Sequence, residues 1–143
     1  MLALHGVDFF LAVLLTLRHE GDCMLADRMR AIFNSQIGVY VGAADGYVRK
    51  LDPSDGSVIW TSADFGGRVW GLATDISGYV YVGAYDGYVR KLDPSDGSVL
   101  WTSADFGDFA YGISTDSDGY VYVGAYDGKV RKLNPSNGSV LWT

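Results

Sequence analysis

A unit of 41 residues recurs along this chain from residue 39 to residue 143. Residues 39–79 match residues 80–120 at 31 of 41 positions, and residues 121–143 match residues 80–102 at 20 of 23. A repeat of this length indicates an array of small modules, each of which buries its faces against the next. The fold class therefore follows from the period, whereas function does not, because repeat scaffolds carry many functions.

The repeated part of the chain is rich in residues that favour strands and turns. It holds 17 of the 20 aromatic residues, and its glycines recur in step with the period. Aromatic and β-branched residues favour strands, whereas Asp and Gly favour the turns between them. The net charge of −6 argues against nucleic acid and anionic membranes as partners, and we expect neither. The single cysteine, Cys23, excludes a disulfide within one chain.

One repeat contains four short segments with strand character. In the second copy the predicted strands are residues 71–74, 79–83, 88–93 and 98–102. Asp86-Gly87 is typical of a two-residue hairpin, and Asp93-Pro94-Ser95-Asp96-Gly97 is typical of a tight turn. Four short antiparallel strands per period are the spacing of a β-propeller blade. A parallel β-solenoid is the alternative, although its turns recur at shorter intervals.

We therefore predict an all-β fold: a β-propeller-type array of about three four-stranded antiparallel blades in an incomplete ring. The predicted blades are residues 30–66, 67–107 and 108–143. Residues 1–29 lie outside the repeat and are predicted to be a short helical leader. Their apolar segment, residues 7–17, is too short to cross a bilayer. A degenerate export signal and an artefact of the start site remain alternatives for this leader.

A motif of Asp, Gly and Trp at four-residue spacing, with Asn in place of Asp in the third copy, occupies the turn and last strand of every copy. Its members are Asp52, Gly56, Trp60, Asp93, Gly97, Trp101, Asn134, Gly138 and Trp142. With the preceding Val-Tyr-Val-Gly-Ala and Asp-Gly segments, the motif resembles the blades of quinoprotein-type propellers, which carry PQQ-like repeats. The resemblance covers residues 39–143. It implies that the motif is a tryptophan-docking motif, whose indole packs against the neighbouring blade.

An Arg-Lys pair also recurs once per blade, at 49–50, 90–91 and 131–132. Adjacent strand residues point to opposite faces, so each pair is split across its sheet. The neighbouring Asp residues and the acidic total predict solvated side chains or local ion pairs rather than a basic ring. The lysine position usually carries Ala in the family that the repeats resemble, so this chain departs from the family there.

The sequence contains little that points to catalysis. Quinone-dependent dehydrogenases, which the blades also resemble, need a calcium-bound quinone, a catalytic carboxylate and, in many cases, a vicinal cysteine pair. The repeats contain no Glu or Cys, and no Asp differs from its equivalents as a unique base would. Asp116-Ser117-Asp118-Gly119 resembles part of a calcium loop but lacks the closing Glu, which favours a hairpin turn. We expect no catalytic residue, cofactor or metal ion.

Positions that differ between the copies are the candidates for ligand contact. Residues 67–70, Gly-Arg-Val-Trp, become Asp-Phe-Ala-Tyr at 108–111, and Ala44 stands where later copies have Tyr. The candidate contact residues are Arg68, Trp70, Tyr85, Phe109, Tyr111 and Tyr126. A protein or a glycan is the expected ligand, and drift at tolerant surface positions explains the same variation equally well.

Closed propellers have four to eight blades, which is more than this chain supplies. Either the exposed blade faces self-associate, or further blades belong to a longer chain of which this is a fragment. We predict a non-catalytic binding or assembly scaffold. The alternatives are a fragment of a quinone-dependent dehydrogenase and a purely structural surface protein. The family resemblance favours an extracytoplasmic location.

Overall fold

A computed structural model describes residues 38–143 of the protein, and this part of the chain consists of strands, turns and loops. The strands are β1 (Val39–Gly42), β2 (Val48–Leu51), β3 (Val58–Thr61), β4 (Val69–Thr74), β5 (Val80–Ala84), β6 (Val89–Leu92), β7 (Val99–Thr102), β8 (Ala110–Thr115), β9 (Val121–Ala125), β10 (Val130–Leu133) and β11 (Val140–Trp142). The predicted leader helix, and residues 30–37 of the predicted first blade, lie outside the described residues.

The strands form three antiparallel sheets in chain order. Blade 1 is β1-β2-β3, blade 2 is β4-β5-β6-β7 and blade 3 is β8-β9-β10-β11. The register recurs from blade to blade: Val39 pairs with Leu51, Val80 with Leu92 and Val121 with Leu133. The predicted all-β array of antiparallel blades is confirmed for residues 38–143.

The innermost strand of blade 2 is longer than the sequence pattern predicted. Strand β4 begins at Val69, two residues before the predicted start at Gly71. Val69 pairs with Ala84 across a register shift that precedes Gly71. A bulge of this kind breaks the alternation of side chains that marks a strand in the sequence. The predicted strand therefore began only after the bulge, at Gly71.

Aspartate side chains close the turns between β6 and β7. Asp93 accepts hydrogen bonds at Oδ1 from the Ser95 N–H (2.8 Å) and from the Ser95 hydroxyl (2.5 Å). The Gly97 N–H donates to the Asp93 carbonyl over 2.9 Å. Gly97 has a φ of 77°, a conformation that costs other residues about 1–2 kcal/mol. This is why a short Asp or Asn side chain and a glycine recur at fixed spacing in every copy.

Two hydrophobic clusters lie between successive blades. The cluster between blades 1 and 2 consists of Val48, Trp60, Phe65, Val80, Val82, Ala84 and Leu92. The cluster between blades 2 and 3 consists of Tyr81, Val89, Phe106, Ala110, Val121, Val123, Ala125 and Leu133. Each cluster draws on two blades, so a blade buries its apolar faces only against its neighbours. The sheets are therefore packed as consecutive blades of a propeller.

The inner strands of neighbouring blades approach each other closely at their backbones. The Thr115 hydroxyl at the end of β8 donates to the Thr74 carbonyl at the end of β4 over 2.9 Å. Gly71 on β4 lies against the Tyr111 carbonyl of β8, and a side chain at this position would overlap that carbonyl. The glycine thus permits the close approach of the two inner strands.

Candidate functional site

Trp60 joins blade 1 to the β6–β7 turn of blade 2. Its indole is only 9% exposed, and its Nε1–H donates to the Pro94 carbonyl over 3.1 Å. The ring covers Gly97 so closely that a methyl group there would lie 2.6 Å from Trp60 Cε3. A flat ring with one polar edge can fill the wedge between two twisted sheets and still satisfy its N–H.

The same arrangement recurs one period later, between blades 2 and 3. The Trp101 Nε1–H donates to the Pro135 carbonyl over 3.0 Å. A methyl group at Gly138 would lie 2.5 Å from Trp101 Cε3. Asp52, Asp93 and Asn134 each accept the backbone N–H of the serine two residues later, which shapes the turn.

Two of the three recurring lysines, Lys50 and Lys91, lie between blades. Lys50 is 3% exposed, and its ammonium donates to the Pro94 carbonyl over 2.9 Å. Lys91 donates in the same way to the Pro135 carbonyl over 3.1 Å. Burial lowers the pKa of both lysines. The expectation of a solvated lysine is wrong at Lys50, because its long side chain reaches a carbonyl of the next blade.

Arg90 and Arg131 face the opposite side of their sheets, towards the preceding blade. The Arg90 guanidinium lies 4.7 Å from the ring centroid of Phe65, and Arg131 lies 4.5 Å from that of Phe106. Each recurring arginine also forms an ion pair with the aspartate four residues earlier. The predicted local ion pairs are present at the arginines, and the Arg-Lys pairs are split across the sheets as expected.

These contacts define two faces on a blade. The tryptophan face of blade 3 consists of Tyr122, Val130, Lys132 and Trp142. The turn face of blade 1 consists of Val39, Val41, Arg49, Pro53 and Gly56. In both blade junctions a tryptophan face packs against the turn face of the following blade. The sequence did not predict that the proline carbonyls and the lysines meet in these junctions, although both recur with the 41-residue period.

The Asp–Arg pairs make stability depend on pH in acid. The side-chain hydrogen bond from Arg131 lowers the pKa of Asp127, and that from Arg49 lowers the pKa of Asp45. A carboxyl with a lowered folded pKa stabilises the fold above its unfolded pKa and loses this contribution as the pH falls through the folded pKa. We expect the contribution of these carboxylates to the melting temperature to be constant near neutrality and to decrease below about pH 4. Thermal unfolding between pH 7 and pH 3 measures this.

The matched variant for this prediction is Arg131→Met, which keeps apolar contact with Phe106 but removes the hydrogen bonds to Asp127. Its acid-induced loss of stability should be smaller than that of the wild type. Arg68→Met removes the same charge at a residue whose contact is with the Trp70 ring, and should keep the wild-type profile. Identical acid profiles for all three proteins would contradict the assignment.

The candidate contact residues lie at the end of the blades where β5 joins β6 and β7 leads to β8. Tyr85 of blade 2 stacks on Phe109, with ring centroids 4.1 Å apart and 23° between the planes. Phe109 meets Tyr126 of blade 3 at 5.8 Å, and Tyr126 meets Tyr111 at 6.5 Å. We call this row of four rings the aromatic surface. It crosses the junction between blades 2 and 3.

Backbone hydrogen bonds hold the aromatic surface in place. The Tyr85 N–H donates to the Arg68 carbonyl, and the Tyr126 N–H donates to the Phe109 carbonyl, each over 2.9 Å. Tyr126 is 68% exposed and Tyr85 is 50% exposed. Arg68 and Trp70 form a separate contact, with the guanidinium 5.8 Å from the indole centroid. Four of the six candidate residues thus form one continuous surface.

Among residues 38–143, no three His, Cys, Asp or Glu side chains are grouped so that they could hold a metal ion. A helix with the length and apolar character of a membrane span is also not found there.

The face-to-face packing of antiparallel sheets through docked tryptophans defines the chain as a β-propeller repeat protein. Its structure is similar to the WD40 β-propeller domain of Doa1, at 21% identity and a TM-score of 0.63 over 66% of this chain and 32% of that one. It is also similar to two computationally designed proteins. Ika8 matches at 24% identity and a TM-score of 0.65, covering 73% and 32% of the two chains. Ika4 matches at 24% and 0.60, covering 66% and 58%.

Residues 44–143 match the family model described as outer membrane protein assembly factor BamB, and the chain belongs to this family of PQQ-type repeats. The resemblance predicted from the docking motif is confirmed. No curated protein sequence matches the chain. The structural similarities, all below 25% identity, concern the fold alone. The chain spans about a third of the Doa1 domain and of Ika8, and 58% of Ika4.

Proposed function

We propose that this chain is a non-catalytic β-propeller scaffold that binds a protein segment on its aromatic surface. The observation that carries the proposal is the row Tyr85–Phe109–Tyr126, which stacks across a blade junction while its tyrosines stay half exposed or more. Tyrosine is enriched at the centres of protein interfaces because its ring supplies contact area and its hydroxyl a hydrogen bond.

The rigidity of the aromatic surface supports a binding role. Stacking on Phe109 and the backbone hydrogen bonds to Arg68 and Phe109 restrict the tyrosines before any ligand arrives. A surface that is already ordered loses less conformational entropy on binding. The aromatic surface also uses positions that differ between the copies, whereas the residues that join the blades recur.

The aspartates support the non-catalytic part of the proposal. Asp75 and Asp116 accept backbone N–H groups within their turns and a tyrosine hydroxyl. Asp86 and Asp127 are held by arginines. These carboxylates are engaged in the framework of the blades, and they recur with it. A general base, by contrast, needs a lone pair directed at a substrate.

The family description supports a protein ligand over a glycan and a location in the cell envelope. It names an outer membrane protein assembly factor, whose clients are proteins. We extend this property to the present chain as part of the proposal. Cell fractionation of the source organism would test the location, since recovery in the soluble cytoplasmic fraction alone would contradict it.

The binding proposal is tested with peptide and glycan arrays probed with the full chain. Wild-type protein should select peptides, and the Tyr85→Ala/Tyr126→Ala double variant should bind the same peptides at least tenfold more weakly, as expected for aromatic anchors. Ile76→Ser is the matched control, because Ile76 is 88% exposed on the β4–β5 turn at the opposite end of the blade. It should bind like the wild type.

Other outcomes of the arrays would revise the proposal. Selection of glycans alone, with the same dependence on Tyr85 and Tyr126, would replace the protein ligand by a carbohydrate. Binding that survives the double variant would move the site away from the aromatic surface. No binding to either array would favour a purely structural role.

A further inference from the structure

We propose that two copies of this chain associate head to tail, so that the tryptophan face of blade 3 in each copy docks on the turn face of blade 1 in the other. Trp142 would then cover Gly56, and its indole N–H and the Lys132 ammonium would both donate to the Pro53 carbonyl. This goes beyond the proposed ligand-binding role, because it concerns the two ends of the blade array and not the aromatic surface.

The tryptophan face of blade 3 has the same internal geometry as the two that are already docked. The ring centroids of Tyr122 and Trp142 are 6.0 Å apart, against 5.9 Å for Tyr81 and Trp101. The Lys132 ammonium lies 5.4 Å from the Tyr122 centroid, the same distance as Lys91 from Tyr81. The face is therefore formed before docking.

This face is nevertheless open to solvent. Trp142 is 49% exposed, whereas Trp60 is 9% exposed in its junction. Val130 is half exposed, although its equivalents Val48 and Val89 are completely buried. Open apolar area of this kind, on residues that a partner blade covers elsewhere in the same chain, marks a surface that gains stability by docking.

The turn face of blade 1 is complementary to it and equally well formed. The Gly56 N–H donates to the Asp52 carbonyl over 2.8 Å, and Gly56 has a φ of 74°, close to the 77° of Gly97. Among the described residues, nothing lies within 4 Å of the place where a methyl group on Gly56 would stand. The equivalent place at Gly97 and Gly138 is covered by an indole. Gly56 is exposed and both of these glycines are buried.

The fit between the two faces follows from the identity of the repeats. The turn at residues 53–56 reads Pro-Ser-Asp-Gly, and so does the turn at residues 94–97 that Trp60 covers. The tryptophan faces of blades 2 and 3 share the residues Tyr, Val, Lys and Trp at equivalent positions. Trp142 would thus meet on a second copy the groups that Trp60 meets within its own chain.

Two copies are the number that the blade count favours. A head-to-tail contact joins unlike surfaces, so it closes into a ring or continues as an open filament. Two chains of three blades make a six-bladed ring, which lies within the range of four to eight blades found in closed propellers. Two equivalent junctions would close the ring with two-fold symmetry.

The test is the mass of the full chain in solution, measured by native mass spectrometry and sedimentation. Reductant is present throughout so that Cys23 cannot link two chains. The wild type should form a species of two 15.5-kDa chains. Trp142→Ala and Gly56→Asn should each weaken association at least tenfold, as expected for a central aromatic contact. Asn is chosen because it tolerates positive φ while its side chain occupies the place of the indole.

Mixing the two variants distinguishes docking between the two unlike faces from a contact in which the same face of each copy meets. Each variant alone lacks one side of both junctions, whereas a mixed pair retains one intact junction. An equimolar mixture should therefore contain mixed pairs at concentrations where each variant alone is monomeric. Circular dichroism of both variants checks that they are folded, and Ile76→Ser should associate like the wild type.

Three outcomes would overturn the proposal. The first is a wild-type monomer at every soluble concentration, which would favour further blades from another source. The second is a pair that forms unchanged in both variants. The third is an open series of larger oligomers, which would contradict the two-chain ring. None of these results bears on peptide binding by the aromatic surface, which is measured separately.

Discussion

Trp60→Ala is expected to lower the free energy of unfolding by about 3–5 kcal/mol, as for other large-to-small changes of buried aromatic residues. The indole is 9% exposed and belongs to the cluster between blades 1 and 2. Its loss leaves a cavity between two sheets and removes the donor to the Pro94 carbonyl. Urea denaturation followed by far-UV circular dichroism measures the loss.

Trp70→Ala is the matched control for this experiment. It removes the same side chain from β4, where the indole is half exposed and its contact is the Arg68 guanidinium. The loss of stability should be less than half of that for Trp60→Ala, because the Trp70 indole buries less apolar area than the Trp60 indole when the protein folds. Equal losses in the two variants would mean that docking at the Pro94 turn contributes little to stability.

Gly97→Ala is expected to destabilise the protein more than Gly56→Ala, although both glycines have nearly the same backbone conformation. Their φ values are 77° and 74°, so the strain of a left-handed alanine, about 1–2 kcal/mol, is common to both. Only at Gly97 would the added methyl group meet an indole, with Trp60 Cε3 at 2.6 Å. The overlap should add about 1–3 kcal/mol, as for other overpacked contacts.

The difference in the free energy of unfolding between the two glycine variants reports the docking contact alone, because the backbone strain is the same in both. Urea denaturation measures this difference at protein concentrations low enough that the chains do not associate. Gly138→Ala should resemble Gly97→Ala, since Trp101 Cε3 would lie 2.5 Å from its methyl group. Equal stabilities of the Gly56 and Gly97 variants would show that the indole moves aside at no cost.

The blade architecture could be predicted from the sequence because strand and turn signals are local. Alternating Val and Tyr predict strands, and Asp-Gly pairs predict the hairpins that join them. The 41-residue period then repeats this prediction, so one correct copy is enough to place the strands of the others. The bulge before Gly71 was missed, because a bulge depends on the pairing partner at Ala84 and not on the strand's own residues.

The candidate contact residues were predicted by a different route, from differences between copies. Differences between copies predicted Arg68, Trp70, Tyr85, Phe109, Tyr111 and Tyr126, but they did not indicate which of these side chains contact one another. Stacking of Tyr85 on Phe109 joins residues of two blades, and it depends on how the β7–β8 loop crosses the junction. The role of these residues in binding remains the proposal to be tested.

The sequence by itself determined the period, the strand order within a blade and the turn chemistry, because these depend on neighbouring residues. Only the tertiary structure decided that Trp60 and Lys50 meet the Pro94 carbonyl, which lies 34 and 44 residues away along the chain. It also decided that Trp142, with the same local sequence as Trp101, stays half exposed. Burial depends on whether another sheet covers the residue, and no local pattern of residues records the presence of that sheet.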